Sequence, residues 1–272
     1  MKTFFTVLLL MSSAFLLCCG GNTAHAQQQT TPANSIFSGR YIFRSELHTV
    51  NASTPFVEGG VINADGNGNI ISVFTTYNRG GSYITSPNAA SRGIYSIDSQ
   101  GFGTISLSIL SGSFWMTPEH MFCKISGDYC TVVSSEPGRA WQGKLWRDKS
   151  ITTASTLTGS FIFESDGSLN QFAESGIISF SANGNYSLSS IYNVALNPSV
   201  SNLTNPSPSF TCGVITPMSY YGEPGIFNAT QGQCPSTVGF DEFAMYCFLD
   251  GSFCILVPHH NGGGWIAEMR KQ

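Results

Sequence analysis

Charge is what this sequence has least of. Only 10% of its 272 residues are Asp, Glu, Lys or Arg, and the formal net charge is −4. Lys and Arg form no cluster, which excludes an electrostatic surface for nucleic acid. Beyond the N-terminal segment no apolar run is long enough to span a bilayer, so no transmembrane helix is expected. No stretch of a dozen residues keeps a helical apolar period. Any helix is short, near "SVSNLTN" or "GFDEFAM". Signatures of enzymes are missing as well: there is no G-x-S-x-G, no H-E-x-x-H, no P-loop and no dinucleotide fingerprint. No catalytic residue, metal site or cofactor is assigned on these grounds. What the chain does have is 29 glycines and 20 phenylalanines, a composition of many turns between aromatic strands.

The N-terminus reads as an export signal. Lys2 is followed by the apolar run Phe4–Leu17, "FFTVLLLMSSAFLL", and then by "AHA", Ala24 to Ala26, with small residues at −3 and −1 of a cleavage point. Residues 1–26 are the expected signal peptide and 27–35 a polar tether. "LLCCGG" offers a rival ending with a candidate lipid anchor at Cys19, although Leu17 and Cys18 are poor residues to precede a lipidated cysteine. Cleavage after Ala26 removes Lys2, Cys18 and Cys19. The expected location is the periplasm, the cell surface or the medium, and six of the eight cysteines remain. An even number in an exported chain favours disulfides.

The rest of the chain is a duplication. "SGRYIF" at Ser38–Phe43 returns as "TGSFIF" at Thr158–Phe163, and "FVEGGVINADGNGN" at Phe56–Asn69 returns as "FAESGIISFSANGN" at Phe172–Asn185. Cys123, Cys130 and Trp141 recur as Cys247, Cys254 and Trp265. The units are expected at 36–150 and 151–272. Within each, "GRYIFRS" and "GSFIFES" alternate with the period of a half-buried strand, and "ADGNGN" and "SANGN" are turns. About eight short strands per unit at regular turn spacing signal an all-β sandwich or barrel in each unit, and the fold expected is two tandem antiparallel up-and-down barrels.

"CKISGDYC" and "CFLDGSFC" fold about central turns that set Cys123 opposite Cys130 and Cys247 opposite Cys254. Directly opposed Cβ atoms lie about 4.5–5.5 Å apart, within reach of a disulfide after modest adjustment. A strict two-residue turn puts these pairs at the wider, hydrogen-bonded kind of site, so either looser turns or somewhat strained disulfides are expected. Cys212 and Cys234 are symmetric about "YYGEPGI" and make the third expected pair. The spacing does not suit structural zinc.

Other candidates have ordinary readings. "DGNGN" at Asp65–Asn69 begins like a calcium loop but lacks the glycine and glutamate such a loop needs. Glu119-His120 near Cys123 would suit a cysteine nucleophile, but Cys123 already has a partner. His259-His260 reads as an exposed loop. Glu58 and Glu174 recur at matching places, and a pair of carboxylates would suit glycoside chemistry; the plain alternative is two surface strand residues. Trp141, Trp265, Tyr41 and Phe161 are core aromatics or the lining of a ligand cavity.

The order "GxYxF", "GxxxADGNGN", "RGIYSIDSQGFGTISL", an aromatic hairpin and a closing "WxGxL" resembles secreted bacterial two-repeat β-barrel proteins with lipocalin-like or calycin-like units. The resemblance covers most of Ile36–Lys149 and Thr158–Lys271, and the cysteine hairpins stand outside it. It implies a small antiparallel barrel per unit and no activity. The function expected is a non-enzymatic binding or surface-interaction module, for a small apolar ligand or a protein partner. The alternatives are a secreted carbohydrate-active enzyme and an outer-membrane barrel.

Overall fold

Alternating inward and outward side chains give each repeat one apolar face to cover, and each repeat covers it by closing its sheet on itself. A computed structural model describes residues 33–47, 56–79, 82–86, 91–111, 114–115, 119–135, 140–154, 156–167, 172–194, 203–204, 213–218, 223–231, 242–259 and 265–272. The expected signal peptide, Cys18, Cys19, Cys212, Cys234 and His260 lie outside the described residues. The first repeat contains β1 (Ser38–Leu47), β2 (Phe56–Asp65), β3 (Asn69–Arg79), β4 (Ser82–Ser86), β5 (Arg92–Ile97), β6 (Phe102–Ser108), β7 (Leu110–Ser111), β8 (Phe114–Trp115), β9 (Glu119–Ser126), β10 (Tyr129–Ser134) and β11 (Trp141–Arg147). The second contains β12 (Gly159–Gly167), β13 (Phe172–Phe180), β14 (Asn185–Val194), β15 (Leu203–Thr204), β16 (Gly213–Pro217), β17 (Ile226–Gln231), β18 (Phe243–Cys247), β19 (Phe253–Pro258) and β20 (Trp265–Lys271). "FAM" of "GFDEFAM" is thus strand, not helix.

Strands β2-β1-β11-β10-β9-β6-β5-β3 form an antiparallel meander, closed by pairing of β2 with β3. Strands β13-β12-β20-β19-β18-β17-β16-β14 close in the same way through β13 and β14. Two eight-stranded barrels result, with β4 and β15 hung on their walls and β7–β8 as a separate ribbon. Each barrel has a core of its own. Tyr41, Phe43, Ile62, Tyr95, Ile105 and Leu145 are among those inside the first; Phe161, Phe163, Tyr186, Phe243 and Met269 are among those inside the second.

Each barrel has a short-turn end, its floor. In barrel 1 the turn after β2 is held by Asp65, whose Oδ1 accepts the N–H groups of Asn67 at 2.7 Å and Asn69 at 2.9 Å. The Asn69 side-chain amide, which donates to Oδ2 at 2.7 Å, and then those backbone bonds hold its carboxyl below the usual range, so "DGNGN" serves a turn. Ala33 and Asn34, from the end of the expected tether, dock on this floor: Ala33 N–H donates to Ile97 O, and Asn34 Oδ1 accepts Ile97 N–H at 2.9 Å. Phe37 then plugs the floor, stacked 4.3 Å from Tyr41. Leu157 has the matching place in barrel 2 and is fully buried there. The longer connections leave both barrels at the other end.

The two cysteine hairpins differ. Cys247 pairs directly with Cys254 across β18 and β19, and the two form a disulfide. Their turn is the loose one expected, closed by Phe248 N–H to Phe253 O at 2.8 Å. In the first repeat Ser126 pairs with Tyr129, which leaves a two-residue turn of Gly127 and Asp128. Gly127 supplies the positive φ, +62°, that such a turn needs. The hairpin centre moves one residue beyond the expected point. Cys123 therefore faces Val132 and Cys130 faces Ile125. The expected Cys123–Cys130 disulfide is absent: both are buried thiols in diagonal contact. Contact with Cys123 is the largest cause, and burial the next, of a Cys130 thiol held well above its usual range. Alkylation of unfolded, unreduced protein is expected to label Cys123 and Cys130 but not Cys247 or Cys254. Labelling of the latter two only after reduction checks this by peptide mass.

Residues Pro32–Gln272 form one unit, because the barrels share a third apolar cluster. Outward Ile42, Val57, Val61 and Phe74 of β1–β3 pack on outward Ile226, Ala244, Tyr246, Phe253, Ile255, Val257 and Ile266 of β17–β20. At about 1.5–3 kcal/mol per buried large apolar side chain, this cluster outweighs the polar contacts at its rim, which net about 0.5–1.5 kcal/mol each. Close approach depends on Gly59, where a Cβ would stand 2.6 Å from Val257 Cγ2. Covering on both faces explains why β18 and β19 are buried at every residue while β10 alternates.

Polar contacts fix the alignment. Near the floors Arg40 donates to Asp148 Oδ2 at 2.7 Å, Cys247 O at 2.8 Å, Pro224 O at 2.9 Å and Glu223 Oε1 at 3.0 Å. At the loop ends Asn78 Nδ2 donates to Pro258 O at 3.0 Å, and between the two ends Thr76 Oγ1 meets Tyr246 Oη at 2.7 Å. Floors therefore lie beside floors, and loop ends beside loop ends.

Candidate functional site

An apolar barrel has little reason to bury a carboxyl, yet barrel 1 does so. Period 2 on β2 puts Glu58 on the inner face with Gly60 and Ile62, one layer below the loop end. It is 2% exposed. Thr75 Oγ1 donates to its Oε1 at 2.6 Å, and Ser45 Oγ to its Oε2 at 3.5 Å. The same carboxyl hydrogen-bonds Glu119. Glu119 opens β9, which stands four strands from β2 in either direction round the barrel. The acid pair thus spans the lumen.

A hydrogen bond between two carboxyls needs a proton on one of them. Burial raises the Glu58 pKa to about 7, against the opposing pull of the bonds from Thr75, Ser45 and Glu119. Near neutral pH the group stands between donor and acceptor. The mouth above it is aromatic: Trp141 on β11 is 8% exposed, and Phe56 and Tyr77 have ring centroids 5.8 Å apart. Tyr77 is the register partner of Glu58 across β2 and β3.

The four aromatics singled out in the sequence do not converge. Trp141 and Trp265 are at the loop ends of their barrels. Tyr41 and Phe161 belong to the floors, Tyr41 against Phe37 and Phe161 edge-on to Phe180 at 5.4 Å. Burial holds the Tyr41 hydroxyl up at about 12, as suits a core residue. Glu58 and Glu174 fall in different barrels, on β2 and β13; the side chain of Glu174 lies outside what is described. The expected surface position of Glu58 is replaced by full burial.

His120 points outward, exposed, with Nδ1 2.8 Å from Ser106 Oγ, so it cannot serve the inward Cys123. His259 is buried rather than exposed, and burial pushes its pKa down to about 4. Among the described residues no group of three or more His, Cys, Asp or Glu could hold a metal ion.

Glu119 is the residue whose partner sequence reasoning missed: the sequence sets it beside His120 and Cys123, not opposite Glu58. Its signal was alternation: Glu119, Met121 and Cys123 share one face of β9, so an acid heads an apolar inner row. Pairing of Val132 with Cys123 and of Leu256 with Met245 makes Met121 the counterpart of Phe243. In sequence Asp241 precedes Phe243 as Glu119 precedes Met121; Asp241 lies outside the described residues.

No protein-family model and no curated protein matches this chain. Among solved structures, kievitone hydratase from Nectria haematococca aligns over 90% of this chain and 94% of its own, at 11% identity and a TM-score of 0.23. A likeness so slight carries neither fold nor activity to this protein.

Proposed function

We propose that the protein is an exported binding module whose receptor site is the upper lumen of barrel 1. Its ligand is a small molecule with an apolar body and a head that donates hydrogen bonds to Glu58 and Glu119. The observation that carries this reading is the buried Glu58 carboxyl, hydrogen-bonded to the half-buried Glu119, beneath an aromatic mouth. Convergent polar groups in an apolar enclosure are the usual signature of a small-ligand site, and an eight-stranded barrel is wide enough to hold one such ligand. The Cys247–Cys254 disulfide suits an oxidising compartment, in keeping with the expected signal peptide.

The alternatives have less behind them. Glycoside cleavage by Glu58 and Glu174 needs both carboxyls about the same bond, roughly 5–9.5 Å apart, and they stand on strands of separate barrels. A transmembrane barrel turns apolar residues outward. Here the inner faces are apolar, while Thr104, Thr131, Gln142 and Lys144 on the outer wall are exposed.

Dodecylamine, dodecan-1-ol and dodecanoate test the reading as probes of equal chain length. Calorimetry at pH 8 is expected to show the amine binding best, the alcohol next and the carboxylate not at all. Glu58→Gln and Trp141→Ala should each weaken amine binding at least about tenfold, a loss of about 1.4 kcal/mol, while Trp265→Ala leaves barrel 1 binding in place. Absence of binding for all three probes, or affinities blind to Glu58, would count against it.

A further inference from the structure

The contact between the barrels joins unlike faces. Barrel 1 offers the outer wall of β1–β3, and barrel 2 the outer wall of β17–β20. Since the barrels are repeats, each also carries the face that its neighbour used. Ile42 pairs with Val61 on β1 and β2, and both are buried between the barrels. Their counterparts Ile162 and Ile177 pair identically on β12 and β13 and stand 50% and 41% exposed. On the other side, Phe253 and Val257 are buried in the contact. Their counterparts in barrel 1 are Tyr129 and Val133, 45% and 49% exposed, with Phe122 beside Val133 at 55%.

Size and charge fit as well. Register makes Phe122 the counterpart of Ala244 and Ser189 the counterpart of Phe74. The large residue has therefore moved from one face to the other. Arg44 of barrel 1 bridges Glu268 of barrel 2 at 3.2 Å. Each has a like charge directly across its own strand pair: Lys144 beside Arg44, and Glu164 beside Glu268. Like charges so placed are unfavourable without a counter-charge. Lys144 and Glu164 are exposed. They are also the repeat counterparts of Glu268 and Arg44, with the signs reversed.

We infer that the free β12–β14 wall of one chain docks on the free β9–β11 wall of a second copy, repeating the internal contact with a Glu164–Lys144 bridge in place of Arg44–Glu268. The partner is the chain itself, and the contact is heterologous, so it propagates to a third copy until it closes or runs on. Reversed signs also favour this pairing over the wrong ones. Barrel 1 against barrel 1 would set Arg44 against Lys144, and barrel 2 against barrel 2 would set Glu164 against Glu268. Thr131 and Gln142 replace Ile255 and Ile266 on the free wall, so the association is weaker than the internal one and shows at high concentration.

Sedimentation equilibrium from about 5 µM to about 1 mM at low salt is the test, a range that covers weak self-association. Wild type is expected to exceed a dimer in mass as concentration rises. Ile162→Lys alone and Phe122→Lys alone should each be monomeric, with unchanged circular dichroism because both sites are exposed. An equimolar mixture of those two variants should stop at a dimer, since only one competent contact remains. Glu164→Lys and Lys144→Glu should each weaken association at least about fivefold, and the double exchange should restore it. A wild type that stays monomeric throughout overturns the proposal. So does an association that survives Ile162→Lys, or a double exchange that fails to restore it.

Discussion

Replacing Arg40 with alanine lowers the unfolding free energy by about 3–5 kcal/mol, the usual cost of breaking a buried ion pair by removing one partner. Arg40 is 9% exposed, and its guanidinium meets two carboxylates and two carbonyls. Asp148 also accepts Leu249 N–H at 2.8 Å, and Glu223 also accepts from Asn63 at 3.2 Å. Alanine leaves the two carboxylates close together, half desolvated and without their cation. For a chain of this size the loss amounts to roughly 10 °C in Tm.

The apolar cluster, not this node, supplies most of the adhesion between the barrels. Removal of the whole node is therefore milder than removal of its cation. Arg40→Met with Asp148→Asn and Glu223→Gln should recover most of the loss. Urea unfolding of the three proteins checks both statements. A loss of under about 1 kcal/mol for Arg40→Ala would place the node among ordinary surface pairs.

Glu58→Gln has an effect of similar size but opposite sign at alkaline pH. The folded pKa is raised from 4.5 to about 7, so the native state holds this proton more tightly than the unfolded chain. The protonated group carries no charge penalty below the unfolded value. As pH rises from about 4.5 to 7 the stability falls, and above 7 the ionised, buried carboxylate costs about 3 kcal/mol, at 1.36 kcal/mol per unit. Glutamine keeps the hydrogen-bonding shape and never ionises. The variant should match wild type near pH 4 and exceed it by up to about 3 kcal/mol at pH 8. Glu119 faces the same carboxyl, so Glu119→Gln should alter the midpoint yet leave it raised, because burial is the largest cause. Parallel stability–pH profiles for wild type and Glu58→Gln would remove Glu58 from the account.

Much of the fold was legible because period 2 and turn chemistry are local. "GRYIF" and "GSFIF" declare inner aromatics, and the recurring Asn-Gly-Asn marks the same floor turn twice. The β9 register was not legible. Identical cysteine spacing hid a two-residue turn in one repeat and a loose turn in the other. Cys123 and Cys247 match in sequence, but in the barrels Cys247 corresponds to Ile125, since each is the partner of the equivalent cysteine on the next strand.

The contact between barrels was written in the contrast of "YCTVV" with "FCILV", where alternation gives way to an unbroken apolar run. One repeat read alone shows a strand; only the pair shows that a second covering is required. The acid pair was half visible. Glu58 stood out by recurrence, but its partner is on the opposite strand of the barrel, a distance no sequence spacing encodes. Inner-face alternation was the clue available, and Glu119 was weighed instead against its neighbour His120, which points the other way.

The account rests most directly on the state of one carboxyl. Carbon-13 labelling of glutamate, with Glu58→Gln to assign the signal, allows the Glu58 side-chain carboxyl to be titrated by NMR. A midpoint near 7, displaced when Glu119 is changed to Gln, is the result expected of a buried Glu58 joined to Glu119 across the lumen of barrel 1. A midpoint near 4.5, unmoved by that change, would mean a solvated glutamate and no site.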